Sequence, residues 1–437
     1  PVDASKAADG PTAIDAAPID APLAVVDAAP LDAPPAVVDA APGDGAGSDA
    51  GGSDIDAPPA EIVYDYQRAD LVLGQDDFTS VAENQGNENP SASSLHTPTD
   101  VFFADGRFWV GDAENGRVLQ WESVPTTRNQ PADIVVGHVD KTSVAGWGQF
   151  SKTELTPSSL SIKVFVQGSR LWISHAMNRV VLWEPIPTTD GEEADLILGQ
   201  TDDKGVTDWS STSGHHTASK FDTPGEMWSD GAKFLLVDSL NCRVLIWNTI
   251  PAVDGAPADL LLGWPDFNMS PAQPGLEPPS ASTLAGPYDL AYDDNLLYVV
   301  DSWNNRVMVW AEIPTQKGAR ADVVVGQTSF DVGEKNAGAG APNAFGLDRP
   351  MGIAIGHDRV FVCDEENRRI VVFEKEKWGS DAVAVLGQPS LDQAAGELVP
   401  SDRTFKACRG MAVVGDKLWV ADRYWNRVLR FQLYPKK

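Results

Sequence analysis

The sequence predicts an all-β protein: a six-bladed β-propeller of four-stranded antiparallel blades, closed by its N-terminal strand and preceded by a low-complexity tail. Three observations predict it. A phrase of the type "VDSWNNRVMVW" (300–310) occurs six times. A second phrase, "ADLVLGQ" (69–75) and its near-copies, recurs every 61–64 residues. Between the two, short β-branched and apolar runs alternate with turn residues, and no long 3.6-residue periodicity argues for helix.

The chain opens differently. Its first 60 residues hold 18 Ala, 11 Asp and 10 Pro, and the first aromatic is Tyr64. "AVVDAAP" stands at 24–30 and again at 36–42. Such a segment buries too little apolar area to offset its ordering entropy, and regular Pro blocks helix and central strand. Residues 1–63 therefore read as an acidic, extended stalk or linker, and residues 64–437 as the propeller.

Each repeat reads as four strands. In the fourth unit these are "YDLAYDD" (288–294), "LLYVVD" (296–301), "RVMVWAEI" (306–313) and "ADVVVGQ" (321–327). Antiparallel units of this kind repeated radially make blades. An Asp ends the second strand of five units: Asp112, Asp238, Asp301, Asp364 and Asp422. An Arg opens the third strand of all six: Arg117, Arg179, Arg243, Arg306, Arg369 and Arg427. Facing each other across a tight Asn-containing turn, the two form a charge-assisted pair that fixes the hairpin. Four residues after each Arg comes Trp121, Trp183, Trp247, Trp310, Phe373 or Phe431, on the same strand face and suited to fill the gap between blades. The second unit departs, with His175 in place of Asp and a shorter turn.

The order of the phrases predicts closure. Residues 69–75 precede any complete blade, and 421–431 end without a fourth strand. The N-terminal strand thus completes blade 6 and removes an exposed edge.

The formal charge of −30 argues against nucleic acid and anionic lipid as partners. No run of eighteen apolar residues exists, so no transmembrane helix is expected. The chain begins at Pro1 with neither Met nor signal peptide; the expectation is that either processing or trimming has removed something ahead of it, a lipid anchor being one reading of what was lost. Cys242, Cys363 and Cys408 have no ligand-like spacing; one disulfide and free buried thiols both stand open.

The repeat phrases resemble the NHL-repeat family of propellers: "LLYVVDSWNNRVMVW" and "FLLVDSLNCRVLIW" match its pattern. "NPSASSLHTP" (89–98), "EPPSASTLAGP" (277–287) and "DGEEADLILGQ" (190–200) resemble a secreted bacterial subgroup. The resemblance implies an extracellular or cell-surface location and a propeller used as a scaffold, a protein binder, an RNA binder or, in a few members, a metal-dependent enzyme; the acidity of this chain speaks against the RNA-binding members.

Motifs for nucleophilic, phosphate-binding, dinucleotide-binding or haem chemistry are absent. The favoured reading is a non-catalytic binding or assembly scaffold whose partner is a protein or further copies of itself. The alternative is a calcium-type metal-dependent hydrolase or lyase using the central channel. Two residue sets carry these readings. The long connections between blades hold Trp147, Trp209, His215, His216 and Phe345, a candidate binding face. Aligning the inner strands puts Asp100, Lys163, Glu226, Asp289, Gly352 and Gly410 at one axial level. Three carboxylates brought together resist ionising. A calcium ion would relieve this, as would pairing with Lys163; a third reading has these residues capping inner-strand backbone. No other cofactor is expected.

Overall fold

The computed structural model describes residues 67–144, 146, 150–158, 160–175, 177–200, 216–269, 278–375, 377, 379–393 and 399–433. The chain divides into two units, Pro1–Pro59 and Ala60–Lys437, and the described residues all belong to the second. Six four-stranded antiparallel sheets form the blades of a β-propeller. Five blades are built from consecutive strands; in the sixth, Ala69–Leu73 pairs antiparallel with Arg427–Gln432 as the outermost strand. Asp70 sits at a bulge in that pairing and receives Arg430 Nε at 2.7 Å and Lys417 Nζ at 3.2 Å. No helix among the described residues is long and apolar enough to cross a membrane.

The inner strands are Pro98–Ala104, Ile162–Gln167, Pro224–Ser229, Pro287–Asp293, Pro350–Gly356 and Cys408–Val414. Each packs on the next, and the sixth packs on the first, which closes the ring. The apolar core is six clusters, one at each blade-to-blade interface, and each contains one aromatic from the six-fold phrase. Trp121, Trp183, Trp247 and Trp310 also donate their indole N–H to a carbonyl nine residues on, at 3.0–3.1 Å. That bond ties the third strand to the turn leading into the fourth.

The Asp and Arg of the phrase do more than hold a hairpin. In blade 4, Arg306 Nε donates to Asp301 Oδ2 at 2.7 Å, and both side chains are fully buried. Its Nη2 donates to the carbonyls of Ser280 and Thr283, each at 3.0 Å, and its Nη1 to that of Phe330 at 2.5 Å. Asp301 Oδ1 accepts the amide of Ala285 at 2.6 Å. One ion pair thus gathers the connection before the blade, the blade's own turn and the connection after it. Blades 1, 3, 5 and 6 repeat the pair at 2.7–2.9 Å. A buried guanidinium is tolerable only when its donors are filled, and backbone carbonyls fill them here.

Blade 2 carries His175 in place of the aspartate. His175 Nδ1 accepts the amide of Met177 at 3.1 Å, so the ring is protonated on Nε2, which donates to Thr156 O at 2.6 Å. Burial pushes its pKa down to about 3. Arg179 lies 3.4 Å over the Phe150 ring, a cation–π contact.

The "LGQ" phrase is a joint. Its glycine has φ near +90°, as at Gly326 (+86°), a conformation other residues rarely take. The following Gln327 Nε2 then donates to the carbonyl of Asn305 in the turn of its own blade at 3.0 Å. His138 takes this role in blade 1, with its Nε2 2.9 Å from Asn115 O.

Candidate functional site

The inner strands bring Asp100, Lys163, Glu226 and Asp289 together on the axis. In blades 1, 3 and 4 the pairing register shifts at the start of the inner strand, and the carboxylate follows that bulge. Lys163 Nζ lies 3.3 Å from Asp100 Oδ1, 3.3 Å from Glu226 Oε2 and 3.1 Å from Asp289 Oδ2. The second oxygen of each carboxylate accepts a backbone amide: Val164 N at 2.8 Å, Met227 N at 3.0 Å and Leu290 N at 2.7 Å. The ammonium thus donates hydrogen bonds to Asp100 and Asp289 and stands within ion-pair distance of Glu226. Blades 5 and 6 supply glycine at this level because there is no room for more. A Cβ on Gly410 would lie 2.2 Å from Asp100 Oδ1, and one on Gly352 2.1 Å from Arg409 O.

Burial raises the pKa of all three carboxyls, that of Asp289 to about 6. Glu226 is pushed well above the usual range by burial and then by the charge of Asp100. It therefore holds its proton to higher pH than an exposed glutamate. Burial alone would lower Lys163, but the charges of Asp100, Asp289 and Glu226 outweigh it and hold the ammonium well above its ordinary value.

On the side of the cluster where the inner strands end, the channel opens into a cavity of about 340 Å³. Asp100, Glu226 and Asp289 line its floor, and Lys163, fully buried behind them, does not. Two residues further along each inner strand stands the next axial level. Blades 1 to 3 place Phe102, Phe165 and Trp228 there; blades 4 to 6 place Ala291, Ala354 and Ala412. One half of the wall is aromatic and the other half is cut back. Phe102 and Phe165 meet edge to face at 5.5 Å, and Trp228 packs on Tyr292 at 4.3 Å with the rings tilted by 46°.

The opposite side of the cluster is filled. The Tyr288 ring lies between Lys163 Nζ at 5.4 Å and Arg409 Cζ at 4.8 Å. Arg409 pairs with Glu365 at 3.1 Å, and Tyr288, Arg409, Glu365 and Arg423 are all buried. The axis is therefore closed by side chains along its middle and toward the blade-connection face.

The candidate binding residues of the connections do not form one cluster. Trp147, Trp209 and His215 lie outside the described residues. His216 is exposed in the connection before blade 3, and Phe345 is half-buried in the connection before blade 5. Among the described residues no three His, Cys, Asp or Glu are grouped so as to hold a metal ion. Cys363 and Cys408 form a disulfide joining blades 5 and 6, with Cα atoms 5.8 Å apart, while the buried Cys242 Sγ accepts the amide of Gly286 at 3.3 Å. The sequence expectations omitted the aromatic level. Its signal was strand alternation from the charged level, counted two residues forward.

The ring of sheets and its closed axis define the chain as a six-bladed β-propeller. No family model and no curated protein matches the sequence. Among solved structures, the chain is similar to the computationally designed Ika8 protein at 8% identity and a TM-score of 0.40, over 84% of this chain and 99% of that chain.

Proposed function

We propose that the protein is a non-catalytic binding or assembly scaffold of NHL-repeat type, belonging to the secreted bacterial subgroup and held at the cell surface by its acidic tail. One observation carries the reading: Lys163 stands where the three axial carboxylates converge, 3.1–3.3 Å from an oxygen of each. An enzyme working through a channel-bound cation needs that point for the ion. Two further features support the reading. The buried Cys363–Cys408 disulfide suits an oxidising compartment. Of the exposed large apolar side chains among the described residues, all but Val253 and Val383 lie in the blade connections or the turns beside them, Trp303 and Tyr424 included. Exposed apolar groups gathered on one face suit docking of a protein partner or a further copy of the chain.

The test has two parts. Labelling intact producing cells with a membrane-impermeant amine reagent reads location, and cross-linking mass spectrometry of the labelled surface reads contacts. The scaffold reading expects labelled protein, with cross-links on the connection face that Trp303→Asp with Tyr424→Asp removes. Protein found only inside the cell, or cross-links unaffected by the double substitution, would overturn it.

A further inference from the structure

The cavity at the other mouth of the channel lies away from the connection face and is independent of the scaffold reading. We propose that it is a binding site for a small amphipathic organic cation, whose ammonium rests on Asp100, Glu226 and Asp289 and whose apolar body lies along Phe102, Phe165 and Trp228.

Shape makes the first argument. A volume of about 340 Å³ is that of a small-molecule site, and it is bounded by rigid strands. The room exists because blades 4 to 6 carry Ala291, Ala354 and Ala412 where blades 1 to 3 carry rings. Six large side chains at this level would have filled the mouth as Tyr288 and Arg409 fill the other end.

Charge decides the occupant. The cavity sees three carboxyl groups whose side chains are 4–10% exposed, while the ammonium that serves them is fully buried behind. Each carboxylate oxygen accepts more than one hydrogen bond, so oxygens already used by Lys163 retain acceptor capacity toward the cavity. With Asp100 and Asp289 ionised against Lys163, the floor is anionic even while Glu226 keeps its proton. Asp293, at the rim, adds a carboxylate paired with Lys375. An anion would meet this floor as a like charge. A bare metal ion would gain nothing from three aromatic side chains. An ammonium gains from both, since ring faces attract cations and the floor accepts their protons. The net charge of −30 raises the local concentration of any cation near the mouth.

The test is isothermal titration of the full chain at pH 7.5 and fixed ionic strength with three probes of one shape: 2-phenylethylammonium, 2-phenylethanol and phenylacetate. The ammonium should bind about tenfold more tightly than the alcohol, and phenylacetate should not bind. Ala412→Leu, at the half-exposed wall, fills the cavity without touching the floor and should abolish ammonium binding with Tm retained. Asp289→Asn should weaken the ammonium and leave the alcohol unchanged. Equal affinity for ammonium and alcohol, binding that survives Ala412→Leu, or no heat from the ammonium at millimolar concentration would each overturn the proposal.

Discussion

Replacing Lys163 with Met keeps most of the buried stem and removes the charge. Asp100, Glu226 and Asp289 then face one another with 4%, 10% and 5% of their side chains exposed and no counter-charge among them. Removing one partner of a buried ionic group costs about 3–5 kcal/mol. A ring of this length has an unfolding entropy of about 0.8 kcal/mol/K, so Tm should fall by about 4–6 °C at pH 7.5. The loss depends on pH with a definite sign. Without the ammonium the carboxyl pKa values rise further, so the folded state keeps protons that the unfolded chain has shed, and stability falls as pH rises. At pH 4 the three groups are protonated and the variant should approach wild type. A hard cation should also substitute for the lost ammonium, so Lys163→Met should gain a calcium-dependent rise in Tm that chelator removes. Differential scanning calorimetry at pH 4 and 7.5, with calcium and with chelator, reads all of this. An unchanged Tm at pH 7.5 would refute the reasoning. So would a wild-type protein that itself melts higher in calcium and loses the effect on Glu226→Ala with Asp289→Ala, because the axis would then be a metal site.

Other perturbations test the frame around the axis. Gly410→Ala puts a Cβ 2.2 Å from Asp100 Oδ1 and should destabilise by about 2–4 kcal/mol, seen as a lowered urea midpoint. Reducing the Cys363–Cys408 bond, which spans 45 residues, should lower stability by up to about 4 kcal/mol; calorimetry with and without reductant checks it. His175, with a folded pKa of about 3 against 6.5, favours unfolding as pH falls from 6.5 toward 3, because the unfolded chain takes up the proton first. Amide exchange at pH 5 should therefore show blade 2 opening before its neighbours relative to pH 7.5. A chain beginning at Gln67 should fold and melt like the full chain, whereas one beginning at Asp77, without the strand Ala69–Leu73, should lose the outer edge of blade 6 and melt lower.

The sequence was most readable where the ring repeats itself. Blade number, strand order and the closing pairing of Ala69–Leu73 with Arg427–Gln432 all follow from the offset of two phrases, because identical packing problems select identical residues six times. The further reach of the Arg side chains was not readable. Arg306 finds Ser280, Thr283 and Phe330 through their backbone carbonyls, which every residue type carries, so no side-chain identity marks the contact. At the axis, the charged level emerged by aligning inner strands, and the structure places its four charged members within one cluster. The aromatic level above it stayed hidden for a geometric reason. Register shifts at Pro98/Asp100, Pro224/Met227 and Pro287/Asp289 disturb the alternation at the strand starts, so the level is reached by counting forward from the charged level and not from where each strand begins. The connections defeated alignment altogether, since their aromatics differ in place and kind from blade to blade.

The alternation of the inner strands gives the channel a combinatorial character. The buried Asp–Arg pairs and the aromatics of the repeats lie outside the inner strands, so the axial residue of a blade is released from the duties of the repeated phrase. Each level of the channel is then like a dial with six wheels, coupled where side chains meet across the axis. One level is set to three acids, a base and two blanks, and the next to three rings and three blanks. A single substitution turns one wheel and leaves five in place. The same freedom lets the channel be reset by design, one blade at a time.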